Sequence, residues 1–468
     1  MGILKKIVLL VGLFFLPNYF YNYTNEYVDI IHFNDVYQMY PGDGLFGASK
    51  FTSFVKNLSN ENSIIIFSGD ALSPSKTSFM SKGSHMIDIL NEINVDYCTV
   101  GNHEMDYGVG NMEEKLGHSN CTWILSNLHK NISAIKTTFK NVIDYQVVDT
   151  KIGPILFLGL AENWIGSTRL YEGDFFYENM IENAKKIISQ MKKTISKSFK
   201  VIAITHAGVD LDKRLLLGVP EIDLVLGGHD HMFYLYKDEN RYIVKSGSDF
   251  NGLSVIRMYK NKMDVKQYKP LNMSLDLKDD PWILGIYEKY NYNQTFNRVL
   301  GNVSFPIDLR KSVCRKKQCK FGKWFADISN DLFDIDDKVT LINAGTIRSH
   351  MFIETGELTF DNMLTIFPYQ TYLVSMKVDG KIIIECMKIS KSKIGKGSYL
   401  IYSSNLREVD GDYYIDGKII EENKIYNLIT TDFLSLGRDG YSLLRDYKDT
   451  IENRLKMHEF LDSYLSKE

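Results

Sequence analysis

The sequence predicts a two-domain α/β protein, and three observations carry that prediction. From about residue 27 to 250, short Ile- and Val-rich runs end abruptly in polar clusters, and helical patterns follow most of them. Around residues 275–300 a charged, aromatic stretch breaks this rhythm. From about residue 300 onward, strands and helices carry Arg, Asn and aromatic clusters instead. The 468 residues suffice for two or three domains, and 44% hydrophobic residues against 24% charged ones provide for packed cores.

The first segment, residues 1–24, has the texture of a targeting signal. Lys5 and Lys6 precede an apolar run from Ile7 to Leu16, then Pro17 and Asn18, and ten residues are too few to cross a bilayer. No small-x-small cleavage site follows, since Phe20, Tyr21 and Tyr23 are bulky. An uncleaved anchor from Ile7 to Tyr21 is therefore the rival reading. Lys6 stands where a myristoylation motif needs Ser or Thr. Glycosylation acceptors at Asn22, Asn57, Asn120, Asn131, Asn272, Asn293 and Asn302 agree with export, though an Asn-rich chain generates such triplets by chance. The polar C-terminus, Tyr464 to Glu468, argues against a C-terminal lipid anchor.

The next segment, residues 25–274, carries the predicted strands. They are Val28–Phe33, Ile64–Phe67, Tyr97–Val100, Ile155–Leu160, Val201–Thr205, Leu224–Leu226 and Tyr242–Lys245, with a helix over Glu178–Lys197. Strands buried on both faces of a sheet, with helices between them, place functional side chains beyond the strand ends. There lie His32-Phe33-Asn34-Asp35, Ser68-Gly69-Asp70, Gly101-Asn102-His103-Glu104 with Asp106, Thr205-His206, and Gly228-His229-Asp230-His231. Taken singly, an Asp at a strand end is more often a cap or turn residue. Five such clusters in a chain with ten His are improbable by accident.

These residue types suit hydrolysis of a phosphoester by two metals. That reaction is among the slowest uncatalysed ones, so water must be activated and phosphoryl charge neutralised. Two divalent ions roughly 3.5–4 Å apart do both. A carboxylate bridges them, and imidazoles complete a set that Zn, and also Mn or Fe, accepts. A His that binds no metal, oriented by a carboxylate, can protonate the leaving oxygen. The net charge of −3 argues against a nucleic-acid binder and leaves a small phosphorylated substrate open.

Residues 275–299 are expected to form a bridge, with a helix from about Trp282 to Tyr292. Residues 300–468 form the second domain. Among five cysteines, Cys314 and Cys319 are close enough in sequence for a local disulfide in an oxidising compartment. Cys98 and Cys386 read as buried thiols, and Cys121 is open.

With these motifs in view, the chain resembles the 5'-nucleotidase family of calcineurin-like metallophosphoesterases, from about residue 27 to its end. The resemblance implies a four-layer β-sandwich flanked by helices, followed by a smaller α/β substrate-binding domain. It assigns Asp35 and His231 to a first metal, Asp70 to both, and Asn102, His206 and His229 to a second. His103 would be the catalytic histidine, oriented by Asp106. The family's first motif is Asp-x-His, whereas this chain reads Asp35-Val36-Tyr37, so one imidazole of the first metal is missing. Tyr37 as a phenolate, or a water, would fill the gap, and a weakened or altered first site is expected rather than a dead one.

The second domain resembles the family's nucleotide reader. Arg315 sits in the Cys314–Cys319 loop, Asn343 to Arg348 matches an Asn-x-Gly-x-Ile-Arg motif, and Pro368-Tyr369 stands where Pro-Phe is usual. Phe433 with Gly437-Arg438-Asp439-Gly440 resembles the C-terminal Phe…Gly-Gly-Asp-Gly motif, with Arg438 for a Gly. Tyr369 and Phe433 would sandwich a base, Asp439 would accept from the ribose hydroxyls, Arg315 and Arg348 would reach phosphate or ribose, and Asn343 belongs with them as a substrate-binding residue. The expected activity is release of phosphate from nucleoside 5'-monophosphates by an exported enzyme. The alternatives are apyrase, UDP-sugar or cyclic-nucleotide hydrolysis, or a non-catalytic nucleotide binder with a defective first metal site. Oligomeric state stays open.

Overall fold

A computed structural model of the chain describes residues 26–41, 46–165, 168, 170, 173–269, 277–347, 352–354 and 356–466. The targeting segment, two glycosylation triplets (at Asn22 and Asn272) and Arg348 lie outside the described residues. Among the described residues no helix is long and apolar enough to cross a membrane.

Two sheets build the first domain. One has the strand order Met263–Tyr268, Leu253–Tyr259, Tyr27–Phe33, Ser63–Phe67, Tyr97–Thr99, Thr122–Ile124, Val142–Ile143. The other runs Phe233–Asp238, Arg241–Ser246, Leu224–Gly227, Lys200–His206, Gly153–Ala161, Tyr145–Thr150. The strands of each sheet that lead to the site clusters pair in parallel. Strand alternation sends every second side chain to the same face. Ile30, Ile66, Phe157, Ile202, Ile204, Leu226 and Val244 thus meet between the two sheets in one buried cluster.

The opposite faces are covered by helices. Gly47–Leu58 and Ser84–Ile93 pack on the first sheet, and Met180–Thr194 and Val209–Gly218 on the second. The arrangement is helix, sheet, sheet, helix: the four layers expected. All seven expected strands are present, each extended or trimmed by a residue or two.

The helix expected near residue 282 is Pro281–Lys289. Asp280 starts it by accepting from the backbone N–H of Trp282 and Ile283, and Pro281 occupies the first turn, where a missing N–H costs nothing. Ile283 and Tyr290 pack into the core of the first domain. The bridge therefore belongs physically to that domain.

The second domain is organised on a five-stranded sheet ordered Leu400–Tyr402, Lys338–Asn343, Ile425–Thr431, Tyr372–Asp379, Ile451–Lys456. Helices Lys320–Asp331 and Gly380–Lys391 bury their apolar faces in two separate cores. The domains touch through the short helix Lys76–Ser81: Lys76 pairs with Asp361 at 2.5 Å, and Phe79 packs against Phe360 and His458. Arg438 adds a contact, donating to the carbonyl of Leu170 at 2.9 Å.

Cys314 and Cys319 form a disulfide. Cys98 does not remain a thiol as expected, because it bonds to Cys121. The strand of Cys98 pairs in parallel with Thr122–Ile124, the strand that starts one residue after Cys121, and sheet register rather than sequence proximity joins the two. Cys386 is the buried free thiol.

Three buried histidines give the fold an acid limit. Burial lowers His32 and His85 to about 3 and His458 to about 4. The unfolded chain takes up protons on these residues below their ordinary value near 6.5, while the folded chain does not. Their contribution to stability is complete above that pH and is lost as pH falls toward about 3. The urea midpoint is expected to drop between pH 7 and pH 4, and an unchanged midpoint would contradict this.

Candidate active site

The strand ends of both sheets converge on one cluster. Asp70, His206 and His229 bring their ligand atoms within 4.8 Å of one another. Asn102 joins them, its Oδ1 lying 3.1 Å from His229 Nδ1. His206 is completely buried, and its Nδ1 donates to the carbonyl of Ser68 at 2.7 Å. A carbonyl accepts only, so Nδ1 bears a proton, and the neutral ring has its lone pair on Nε2. Nε2 lies 3.1 Å from Asp70 Oδ2 yet makes no hydrogen bond. With the ring neutral, Nε2 presents a buried lone pair beside a buried carboxylate, which fits a cation; this donor set suits a divalent metal such as Zn or Mn.

His103 stands at the edge of this cluster. Its backbone N–H donates to Asp70 Oδ1 at 2.8 Å, and its Nδ1 meets Asp106 Oδ2 at 2.7 Å. That pairing leaves Nε2 as the ring nitrogen available to a substrate, and the side chain is 24% exposed. Burial works against its charged form, but the charges of Asp70 and Asp106 prevail and raise it to about 10. Burial likewise opposes charge on His206, and Asp70 outweighs it, raising His206 to about 9. Both shifts record the same negative potential, which a bound cation would neutralise.

The remaining expected ligands are arranged otherwise. His231 Nε2 lies 3.2 Å from Asp35 Oδ1, and the hydroxyl of Tyr37 is within 3.1 Å of both. In this set the Tyr37 hydroxyl, which is neither imidazole nor carboxylate, stands among the donor atoms.

The backbone is strained where the ligands sit. Asp35, Asp70, His229 and His231 have φ of 54°, 66°, 79° and 55°, a region that costs a non-glycine residue about 1–3 kcal/mol and tends to mark functional sites. Close approach explains two glycines. A Cβ on Gly101 would fall 2.1 Å from Asp70 Oδ1, and one on Gly228 would fall 2.5 Å from the Ser68 carbonyl.

Sequence reasoning gave no role to two residues that hold these loops. Buried Glu104 accepts from the N–H groups of Asp70, Ala71, Leu72 and Gly101 at 2.5–3.2 Å. Its place in the Gly-Asn-His-Glu run was the only available signal. Lys245 is fully buried, pairs with Asp212 at 2.9 Å and Asp230 at 2.6 Å, and donates to the carbonyls of Ala207 and Gly228. One ammonium thus ties together the loops after His206 and before His229. A lysine inside an apolar strand run was its signal. Lys245→Met leaves two carboxylates without their cation, a change worth about 3–5 kcal/mol. Chemical denaturation is expected to show that loss together with weaker metal binding.

In the second domain, Asn343 donates to Asp439 Oδ2 at 2.9 Å, which joins two of the expected substrate residues. Arg315 lies beside the Gly345–Gly397 contact, next to Asn343 in the chain fold. Tyr369 and Phe433 are half-buried, and the bond from Tyr372 N–H to Asp432 sets their two segments side by side. Arg438 is accommodated because the left-handed angles fall on Gly437, Asp439 and Gly440 instead. Between the domains, Gln38, Pro74, Ser75, Phe79, Leu364 and Pro368 line a cavity of about 190 Å³. It adjoins the Tyr37 and Asp70 loops on one side and Tyr369 on the other.

Residues 28–233 match the family described as calcineurin-like phosphoesterase, and residues 299–446 match the 5'-nucleotidase, C-terminal domain. The human 5'-nucleotidase is 21% identical over 447 residues, covering 82% of this chain and 76% of the relative. An apyrase of Tabanus yao is 22% identical over 481 residues, covering 89% and 85%. The crystal structure of a 5'-nucleotidase precursor from Thermus thermophilus superposes with a TM-score of 0.66 at 16% identity, covering 94% and 96%, which speaks for a shared fold. The two matched regions follow the two domains, and the chain belongs to the calcineurin-like phosphoesterases that carry a 5'-nucleotidase C-terminal domain.

Proposed function

We propose that this protein hydrolyses the phosphoester of nucleotides, with nucleoside 5'-monophosphates as the simplest substrates. The observation that carries the reading is the His103–Asp106 pair set against Asp70, His206 and His229. When bound there, a divalent cation supplies charge neutralisation for phosphoryl oxygens and lowers the pKa of water. The chain's own residues do the rest. Asp106 fixes the ring of His103 through Nδ1, so that Nε2–H faces the leaving oxygen and transfers its proton as the ester bond breaks. Arg315, Asn343, Tyr369, Phe433 and Asp439 of the second domain, with Arg348, hold the nucleoside.

Two disulfides support an extracellular or secretory-pathway location, since such bonds persist in oxidising compartments. The side chains of Asn57, Asn120, Asn293 and Asn302 are exposed, as carriers of glycans must be. Phosphate release from AMP, ADP, ATP and UDP-glucose tests the substrate reading. Fastest turnover of AMP is expected, faster release from ATP and ADP would make it an apyrase, and no release from any would refute hydrolysis. Tyr37, in place of an imidazole, favours one second reading: a nucleotide binder without catalysis. Nucleotide binding with no phosphate release would establish it.

A further inference from the structure

The hydroxyl of Tyr37 lies 3.1 Å from Asp35 Oδ1, 3.0 Å from Asp70 Oδ2 and 2.9 Å from His231 Nε2. A first metal would have to take these same three atoms. We propose that the Tyr37 hydroxyl substitutes for that metal, so that the protein works with a single resident ion, held by Asp70, Asn102, His206 and His229. The inference rests on the metallohydrolase reading above and changes its metal count.

Three observations support it. First, the two halves of the site differ in what their donor atoms already have. His206 Nε2, in the second set, is buried with no hydrogen-bond partner. In the first set, Asp35 Oδ1 and His231 Nε2 both meet Tyr37, while Asp35 Oδ2 accepts from Asn34 Nδ2 at 2.6 Å and from the His229 N–H at 2.8 Å. In the second half the donor atoms meet one another, Asn102 Oδ1 with His229 Nδ1 at 3.1 Å and His206 Nε2 with Asp70 Oδ2 at 3.1 Å, whereas in the first half the Tyr37 hydroxyl stands among them.

Second, the phenol is held in place. Its backbone N–H donates to Asp249 Oδ1 at 3.0 Å. The ring stands edge-on to His103, with centroids 5.9 Å apart, and lies 5.2 Å from His231. The residue is only 7% exposed.

Third, the chemistry of the substitution runs in this direction. A neutral imidazole offers a lone pair that borderline divalent ions bind well, and that is what Asp-x-His provides. A phenol offers an O–H, which a carboxylate accepts, and only a weak neutral oxygen donor. The single Tyr37 O–H proton serves one of the two facing carboxylate oxygens, Asp35 Oδ1 or Asp70 Oδ2, and the phenol oxygen faces His231 Nε2, so the hydroxyl occupies the place among the three side chains that a cation would take.

Elemental analysis and native mass spectrometry of the purified full-length protein, equilibrated with Zn²⁺ or Mn²⁺ and dialysed, test the proposal. One equivalent is expected for the wild type and two for Tyr37→His. His231→Gln, on a half-exposed residue, is expected to keep one equivalent, and it serves as the test should Tyr37→His fail to fold. Two equivalents in the wild type, or loss of the single ion in His231→Gln, would overturn the inference. Phosphate release measured on the same samples separates the two readings. Two ions with turnover sink the substitution and leave the hydrolase standing; one ion without turnover does the reverse.

Discussion

Asp70→Asn is expected to lower phosphate release by well over the roughly 10–100-fold that outer-shell partners of a metal cost, because the proposed site makes Asp70 itself a ligand. Its Oδ2 faces His206 Nε2, and its Oδ1 accepts from the His103 N–H, so in the proposed site one carboxylate would serve both the metal and His103. The neighbouring His206 and His103 hold this carboxyl, against the effect of burial, below the usual carboxylate range. An amide removes the charge without changing the shape. Loss of bound metal and of turnover together, in a protein of unchanged circular dichroism, is the expected result. Retained turnover would remove Asp70 from the site.

His103→Gln is expected to reduce kcat by about 10²–10⁴-fold, the range of general acid catalysis, while metal content stays at the wild-type value. Asp106→Asn makes a finer prediction. The imidazolium is the working form, so activity falls as pH rises through the pKa of His103. That value is about 10 without a cation, and positive charge beside Asp70 moves it down. Removing the Asp106 charge moves it down further. The alkaline limb of the kcat/KM profile should shift to lower pH in Asp106→Asn, and an unmoved limb would mean that another group is the acid.

Much of this was legible in the sequence because buried parallel strands write a clear pattern. Ile30, Ile66 and Ile204 sit in short apolar runs that a solvent-facing strand would not tolerate, and each run ends where a ligand begins. Asp35, Asp70, Asn102, His103, His206, His229 and His231 were readable for that reason, and the structure brings all seven together. Asp106 was readable too, since a spacing of three residues brings it onto His103 within one turn.

What was not legible depends on contacts made across the chain. Cys98 looked like an inert thiol because its bond to Cys121 follows from strand register. Lys245 reads as the polar end of an apolar run until Asp212 and Asp230 are folded around it. Tyr37 could be seen as a missing imidazole. Its three hydrogen-bonding distances could not be seen, nor the difference they make between the two halves of the site. Arg348, read as a substrate contact, lies outside the described residues.

The central claim is that the cluster of Asp70, Asn102, His206 and His229 holds a metal on which phosphoester hydrolysis depends. Phosphate release from AMP by chelator-stripped protein, followed as Zn²⁺ or Mn²⁺ is titrated back, tests it most directly. Activity that is absent after stripping and returns in step with bound metal is the predicted result. Full activity in the stripped protein would contradict the account.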